Sequence, residues 1–396
     1  MTVFLSYAFR PLFLLATVYA IVVVPLWAGA WLGYLPFPAT LGTPIGWHAH
    51  EMTFGFAGAA VGGFALTAVA TWTGRPPVSG APLFILSGLW LIARITFFLP
   101  FPSLLAPAVV ADLGYGGLLF ALMSREVISV GNERNYKVLL ILGLLLVSNA
   151  IFFLGIIRSA SWTMTALHCG VWLIVLLVNL IAGRIIPGFT RNWLKRRDAG
   201  EMHRPKKLPP TFDRFDRIST GLLVAFAIFQ LLDAPPRETA LLGAVTSASL
   251  FVRVARWQGI QSSEEPLVWV LHVAYLWLPV AILLLCFAEV GLVPQTSGIH
   301  ALSSGAITTM IVAVASRAAL GHTGRPLESH PVLTASYALI TVAAICRVAA
   351  TFGPAARVLL AASATAWCLG FICFAWRYVP ILTQPKVQRQ GSLPTV

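Results

Sequence analysis

Two stretches of the sequence repeat one pattern of a histidine followed by helix-ending residues. His50 begins an apolar run that ends in Thr73-Gly74-Arg75-Pro76, and His300 begins one that ends in Thr323-Gly324-Arg325-Pro326. The interval is the same in both, and as a helix it would extend roughly 35 Å, about a bilayer thickness. An imidazole inside a membrane is costly unless it binds a ligand or has a polar partner. These histidines are therefore the first place to look for chemistry.

Four of the eight histidines fall near the start of predicted helices that run in the same direction. His48 and His50 begin the second helix, His168 the sixth and His300 the tenth. We therefore expect the four side chains at one depth, in a single pocket. A spacing of four helices favours three four-helix units around a pseudo-threefold axis, a plan comparable to subunit I of haem–copper oxidases. That comparison is an analogy, because a fold does not fix a function.

The types of these residues indicate which cofactors they could bind. Imidazoles without a Cys-X-X-Cys pair or a carboxylate cluster suit copper, haem iron or zinc. One histidine could be an axial haem ligand, and the remaining three could form a copper site. Side chains two apart on a helix point about 200° apart, so His48 and His50 cannot easily bind one metal. They could serve adjacent centres, or one could bind while the other makes a supporting hydrogen bond.

Other residues near this level are candidates for supporting roles. Glu51 could orient His48 or relay protons. Cys169, which adjoins His168, and His272 in the ninth helix are weaker metal candidates.

Buried charges provide a further set of candidates. Arg94 and Arg347 lie within predicted helices, as do Asp112 and Glu289. Arginines in membranes are usually paired, so the two arginines could neutralise these acids. Alternatively, their guanidinium groups could hold haem propionates.

The composition excludes a soluble protein. The chain has 396 residues, of which 58% are hydrophobic and 10% charged, and its mean hydropathy is +0.83. We predict an all-α integral membrane protein with twelve transmembrane helices in a single polytopic domain, residues 1–396. The predicted spans are roughly 10–35, 46–71, 80–100, 104–123, 136–157, 162–187, 214–233, 238–258, 266–290, 297–321, 331–351 and 355–378.

The net charge of +13 has a topological explanation. Lys and Arg concentrate in one set of alternating connections, and the opposite set contains only Arg158, Arg237 and Arg357. This bias predicts that both termini are cytoplasmic and argues against nucleic-acid binding. Residues 188–213 are predicted to be a basic cytoplasmic linker between two six-helix halves, and residues 379–396 a flexible tail.

The two Thr-Gly-Arg-Pro motifs are interpreted as structural helix ends. Glycine ends a helix, arginine interacts with its last carbonyls, and proline prevents continuation. His322 and His330 lie in the connection that follows the second motif and are not expected to be ligands.

Several of these motifs together resemble the NnrS family over nearly the whole chain. The resemblance lies in Trp47-His48-Ala49-His50-Glu51-Met52 with Phe54-Gly55, Trp72-Thr73-Gly74-Arg75-Pro76, Phe9-Arg10-Pro11, Gly183-Arg184-Ile185-Ile186-Pro187 with Phe189-Thr190 and Asn192, and Arg317-Ala318 with Gly321-His322-Thr323-Gly324-Arg325-Pro326. Small departures are Ala70-Thr71, where the family has Pro-Asn, and Thr308, where it has Gly.

The resemblance implies a haem- and copper-containing protein of the bacterial inner membrane that is linked to nitric oxide. Such proteins are associated with denitrification and with resistance to nitrosative stress. The expected ligand is nitric oxide or an iron–nitrosyl species. Membrane lipids and an electron donor are the other partners that the resemblance implies. Two alternatives remain open: a twelve-helix secondary transporter, and a membrane sensor of nitric oxide without turnover.

Overall fold

The architecture was analysed in a computed structural model that describes residues 3–37, 40–99, 101–198 and 208–387. These residues form twelve long helices and no strand, which confirms the predicted all-α bundle. Eleven of the helices are long and apolar enough to cross a membrane. The helices are α1 Phe9–Trp31, α2 Pro44–Thr73, α3 Ala81–Phe98, α4 Leu105–Ile128, α5 Tyr136–Arg158, α6 Thr163–Asp198, α7 Arg214–Leu231, α8 Pro236–Arg256, α9 Pro266–Glu289, α10 Gln295–His322, α11 Pro331–Ala349 and α12 Ala356–Thr383.

The remaining helix, α7, is less apolar than the other eleven because its first turn is charged. Arg214, Asp216 and Arg217 all lie within that turn. The helix begins with a capping box, in which the Asp213 side chain accepts from the Asp216 amide at 3.2 Å and the Asp216 side chain accepts from the Asp213 amide at 3.0 Å. This reciprocal pair satisfies backbone donors that a helix start leaves free.

Three helices extend at least five residues further than predicted, and one of them is α4, which ends at Ile128. Helix α6 continues to Asp198, so residues 188–198 of the predicted linker are helical; the proline at 187 does not end the helix, and Leu194 is fully buried. Residues 199–207 of that linker lie outside the described residues. Helix α12 continues to Thr383 because Arg10 donates to the carbonyls of Leu382 and Gln384, both at 2.7 Å. The predicted tail is therefore tethered at its start, and residues 388–396 lie outside the described residues.

The three helices that carry the predicted site lie at the centre of the bundle. Helices α2, α6 and α10 each contact the other two, and α1 packs against both α2 and α12. This mutual contact is what the pseudo-threefold plan requires. The resemblance to haem–copper oxidases stays an analogy.

Helices α2 and α10 share a local irregularity directly after the repeated histidine. Each contains a π-helical segment, Glu51–Ala57 in α2 and Ala301–Ile307 in α10. Each segment also has a glycine at the same position, and a Cβ on Gly55 would lie 2.6 Å from Arg94 Nη1, while one on Gly305 would lie 2.5 Å from the Trp277 ring. The repeat seen in the sequence is thus a structural repeat, in which a widened turn and a glycine admit a bulky side chain from a neighbouring helix.

The Thr-Gly-Arg-Pro motifs end helices, as predicted. Gly74 and Gly324 have φ values of 70° and 72°, in the left-handed region that favours glycine. The Arg325 amide donates to the Leu320 carbonyl at 3.0 Å, and the Arg75 side chain donates to Glu126 at 2.6 Å. We call this end of the bundle the TGRP end and the end with the starts of α2, α6 and α10 the histidine end.

Several arginines of the charge pattern are buried rather than exposed at the TGRP end, and Arg253 is the most buried of them. Arg253 in α8 has no exposed surface; its Nε donates to Asp216 at 2.7 Å, and its Nη1 donates to Asn179 and to Tyr275, both at 2.6 Å. These contacts join α6, α7, α8 and α9. The structure therefore gives Arg253 a packing role in addition to its positive charge.

Replacing glycine by alanine should have opposite effects on stability just before and just after the C-terminal end of α10. Gly324→Ala should destabilise the protein, because the left-handed conformation costs about 1–2 kcal/mol for a residue with a Cβ. That Cβ would also lie 2.7 Å from the Val387 carbonyl oxygen. Gly321→Ala is the matched control, with open space around the new Cβ. It should stabilise the helix by about 0.5–1 kcal/mol. Thermal unfolding in detergent measures both, and equal midpoints would contradict this account of the motif.

Candidate functional site

A cavity of about 330 Å³ lies at the histidine end between the three central helices. Its wall contains His48 from α2, His168 from α6 and His300 from α10, together with Arg347 from α11. The size is within the range of about 300–1,000 Å³ typical of small-molecule sites. We call it the histidine cavity. The structure thus brings three of the four predicted histidines to one place.

His300 is oriented with one ring nitrogen occupied and the other available. Its Nδ1 lies 2.7 Å from the carbonyl oxygen of Thr296, one turn earlier in α10. Because a carbonyl only accepts, Nδ1 carries the proton and Nε2 has a free lone pair. This hydrogen bond is the usual way in which proteins prepare a histidine to bind a metal.

His48 is held by an aromatic stack. Its ring lies 4.4 Å from the Trp27 ring, with 11° between the planes. Its Nδ1 is buried and has no hydrogen-bond partner among the described residues. A buried polar atom without a partner is unusual in a native protein and points to a ligand or an ordered water.

The histidines do not form an assembled three-ligand metal site. No group of three or more His, Cys, Asp or Glu side chains in the described part of the chain is close enough to hold a metal ion. Two thioethers, those of Met52 and Met164, also line the histidine cavity and are soft ligands of the kind that copper(I) binds. Sequence reasoning missed both, since methionine in a membrane helix usually fills space.

Arg347 is the cation of the histidine cavity. It lies in the same wall as His48 and His300, and no carboxylate among the described residues pairs with it. Glu289, one of the acids that could have neutralised it, instead accepts from Gln230 at 2.7 Å. The pairing alternative therefore does not apply to Arg347, and the guanidinium is available to an anionic ligand.

His50 lies on the other side of α2, outside the histidine cavity. It is fully buried, with Nδ1 at 2.9 Å from Glu51 Oε1 and Nε2 at 3.0 Å from Asn149 Oδ1 and 3.3 Å from Asp112 Oδ2. The expectation that all four imidazoles share one pocket is therefore wrong for His50. The physical reason is the angle between residues two apart on a helix, which sends the His48 and His50 rings in different directions.

The surroundings of His50 form a buried charged cluster. Arg94 lies between two acids, donating to Glu51 at 2.7 Å and to Asp112. Tyr19 donates to Glu51, and the Asn149 amide donates to Asp112 at 2.6 Å. We define the charged cluster as Tyr19, His50, Glu51, Arg94, Asp112 and Asn149, which come from the first five helices.

The charged cluster decides between the alternatives stated for its members. Arg94 is paired with Glu51 and Asp112, as the pairing alternative predicted. Glu51 orients His50 rather than His48. Sequence reasoning missed Tyr19 and Asn149, because a single tyrosine or asparagine in a helix gives no signal of its partners.

The two weaker metal candidates lie away from the histidine cavity. Cys169 is half-buried and does not contribute to the cavity wall although its neighbour His168 does. His272 is buried in α9, with Nε2 at 2.8 Å from the Thr190 hydroxyl. The structure brings neither of them to the other candidates.

The fold and the site together define a class: a multi-pass helical membrane protein with a histidine-lined cavity between its central helices. A comparison with family models identifies the family within this class. It belongs to the NnrS family, whose model, described as NnrS protein, matches residues 3–386. A comparison with curated proteins gives no significant match.

Removing the two membrane arginines should have very different consequences for folding. Arg94→Gln should destabilise the protein by about 3–5 kcal/mol, because Glu51 and Asp112 would remain buried without their cation. Arg347→Gln leaves no acid unpaired and should change stability little. Thermal unfolding of the two variants in detergent measures the difference. A small loss for Arg94→Gln would show that the charged cluster does not hold the first five helices together.

Proposed function

We propose that the histidine cavity holds haem and copper, and that the protein binds or processes nitric oxide or iron–nitrosyl species in nitrosative-stress resistance or denitrification. The observation that carries this proposal is the meeting of His48, His168 and His300, from three separate helices, in one cavity. Membership of the NnrS family supports the choice of cofactors.

The residues present fit these groups. His48, His168 and His300 would provide imidazole ligands, and the free Nε2 of His300 and the unpartnered Nδ1 of His48 are the atoms that support this role. Trp27 and Trp367, which also line the cavity, would provide aromatic surface for the cofactor.

Arg347 would bind the haem propionates, since a guanidinium forms paired hydrogen bonds with a carboxylate. When bound, haem iron or copper would supply an open coordination position and a redox centre for a diatomic ligand. The charged cluster would act as a support by fixing the rotation of α2, and so the direction of His48.

The chemistry of the ligand also fits the cavity. Nitric oxide is small and uncharged, so it can enter from the lipid and needs no polar channel. Apart from its histidines and Arg347, much of the cavity wall is aliphatic or aromatic, including Val24 and Leu360. The wall also includes Ser, Thr and Gln side chains, and its apolar part accepts an uncharged diatomic gas.

We further propose that the protein lies in the bacterial inner membrane, with the TGRP end and both termini on the cytoplasmic side. Supporting this orientation, the Lys and Arg bias lies with the connections at the TGRP end. The start of the chain is at the same end, since the Tyr7 ring lies 5.2 Å from that of His322. The histidine cavity would then open toward the periplasmic side.

Alanine variants of the cavity histidines should lose cofactor without losing the fold. In purified wild-type protein we expect a Soret band that shifts on addition of nitric oxide, and copper by metal analysis. His48→Ala, His168→Ala and His300→Ala should each change the spectrum or lower the metal content, because each removes one imidazole from the cavity wall.

His272→Ala is the matched control, a buried histidine outside the cavity, and should keep both signals. A folded wild-type preparation that contains neither haem nor copper would refute the proposal. Cofactor loss in His272→Ala equal to that in the three cavity variants would remove the assignment of the site.

Arg347→Gln should weaken retention of haem rather than ligation of the metal. The variant lacks the charge that would pair with propionates, so haem should transfer to apomyoglobin several-fold faster than from wild type. Arg357→Gln is the control, an exposed arginine that donates to the Leu32 carbonyl at 3.1 Å. Equal transfer rates for the two variants would show that Arg347 does not hold the cofactor.

A further inference from the structure

A second cavity lies deeper in the bundle, between the same three central helices. Its volume is about 60 Å³, and all of its lining side chains are apolar. Each central helix contributes three side chains, and Phe13 of α1 completes the wall. They are Ala60, Val61 and Phe64 from α2, Leu177, Val178 and Ile181 from α6, and Met310, Ile311 and Val314 from α10. We call it the axial cavity.

The axial cavity lies at one level below the histidines. The first lining residue on each central helix follows His48, His168 or His300 by nine to twelve residues, which is roughly 14–18 Å along a helix. All three central helices therefore change from an imidazole at their start to a small apolar wall at the same depth. Because it recurs on three helices, this is a feature of the architecture rather than a local packing defect.

The lining determines what the axial cavity can contain. A buried water needs two to four polar partners, and a cavity with apolar walls stays dry and accepts apolar atoms. A water-sized molecule needs about 10–15 Å³ of such volume, so a few atoms fit but a folded acyl chain does not. The chemical class that matches is a small, uncharged, weakly hydrated molecule.

A small intermediate cavity of about 50 Å³ lies next to both the histidine cavity and the axial cavity. Thr53 lines the histidine cavity and this intermediate cavity, whose wall also includes Asp112 and Asn149 of the charged cluster. Val61 lines that intermediate cavity and the axial cavity. The three cavities therefore lie in sequence along α2, and each neighbouring pair has one lining side chain in common.

We propose that the axial cavity is a binding site for a small apolar gas molecule, which it holds on a path to the histidine cavity. The identity of the gas as nitric oxide rests on the proposed function. The existence of the site does not, because it follows from the shape and lining of the cavity.

Xenon tests the site without haem or copper. In crystals of the full-length protein pressurised with xenon, we expect anomalous density in the axial cavity. Val178→Phe should abolish it by filling the cavity, and Val18→Phe, the same substitution on a side chain that is 50% exposed on α1, should leave it unchanged. Ile311→Ala enlarges the cavity and should raise the xenon occupancy, which gives a result even if Val178→Phe does not fold.

No xenon in the wild-type axial cavity would overturn the proposal, as would a lipid or detergent chain occupying it. Unchanged xenon density in Val178→Phe would do the same.

Nitric oxide photolysis then tests the path in haem-loaded protein. Gas released by a light flash should rebind partly in a slow phase from within the protein, and Val178→Phe should lose that phase while Val18→Phe keeps it. Xenon binding without any nitric oxide spectrum would defeat the proposed function and leave the axial cavity standing. A nitric oxide spectrum without xenon binding, or a slow phase that persists in Val178→Phe, would defeat the inference about the path.

Discussion

The pairing of Arg94 with Glu51 and Asp112 is the interaction on which the histidine end depends. Three charges inside a membrane bundle are tolerated only because each acid has the guanidinium and further hydrogen bonds as partners. The charged cluster draws one side chain or more from each of the first five helices. By fixing one face of α2 it turns His48 toward the histidine cavity, so a charge network that need not touch a ligand sets the geometry of the site.

The repeated π-helical segments explain how this arrangement fits into a bundle of closely packed helices. A π-helical turn is wider than an α-helical turn and is frequent at functional sites. In α2 the segment with Gly55 makes room for Arg94, and in α10 the segment with Gly305 makes room for Trp277. Two of the three central helices thus make room for a large side chain from a neighbouring helix, directly below the level of their histidines. A residue with a Cβ in place of either glycine would clash with that side chain.

The central helices therefore carry two environments at two depths. Near their starts they present imidazoles and thioethers, beside the Arg347 guanidinium of α11, and these groups suit metals and anionic groups. Further along, the side chains that they direct into the axial cavity are all apolar. In a bilayer such a gradient separates a ligand-binding level from a region that only uncharged molecules enter.

The sequence by itself determined the twelve helices, the helix ends at the Thr-Gly-Arg-Pro motifs and the shared level of the histidines, because these follow from hydropathy, glycine and proline chemistry and spacing along one helix. It also predicted that His48 and His50 would diverge. Only the tertiary structure decided which of them lines the histidine cavity, that Arg94 is paired while Arg347 is not, and that Tyr19, Met52 and Asn149 belong to the site. Those outcomes depend on the rotation of each helix about its own axis, which is set by contacts between residues far apart in the chain and leaves no periodic trace in the sequence.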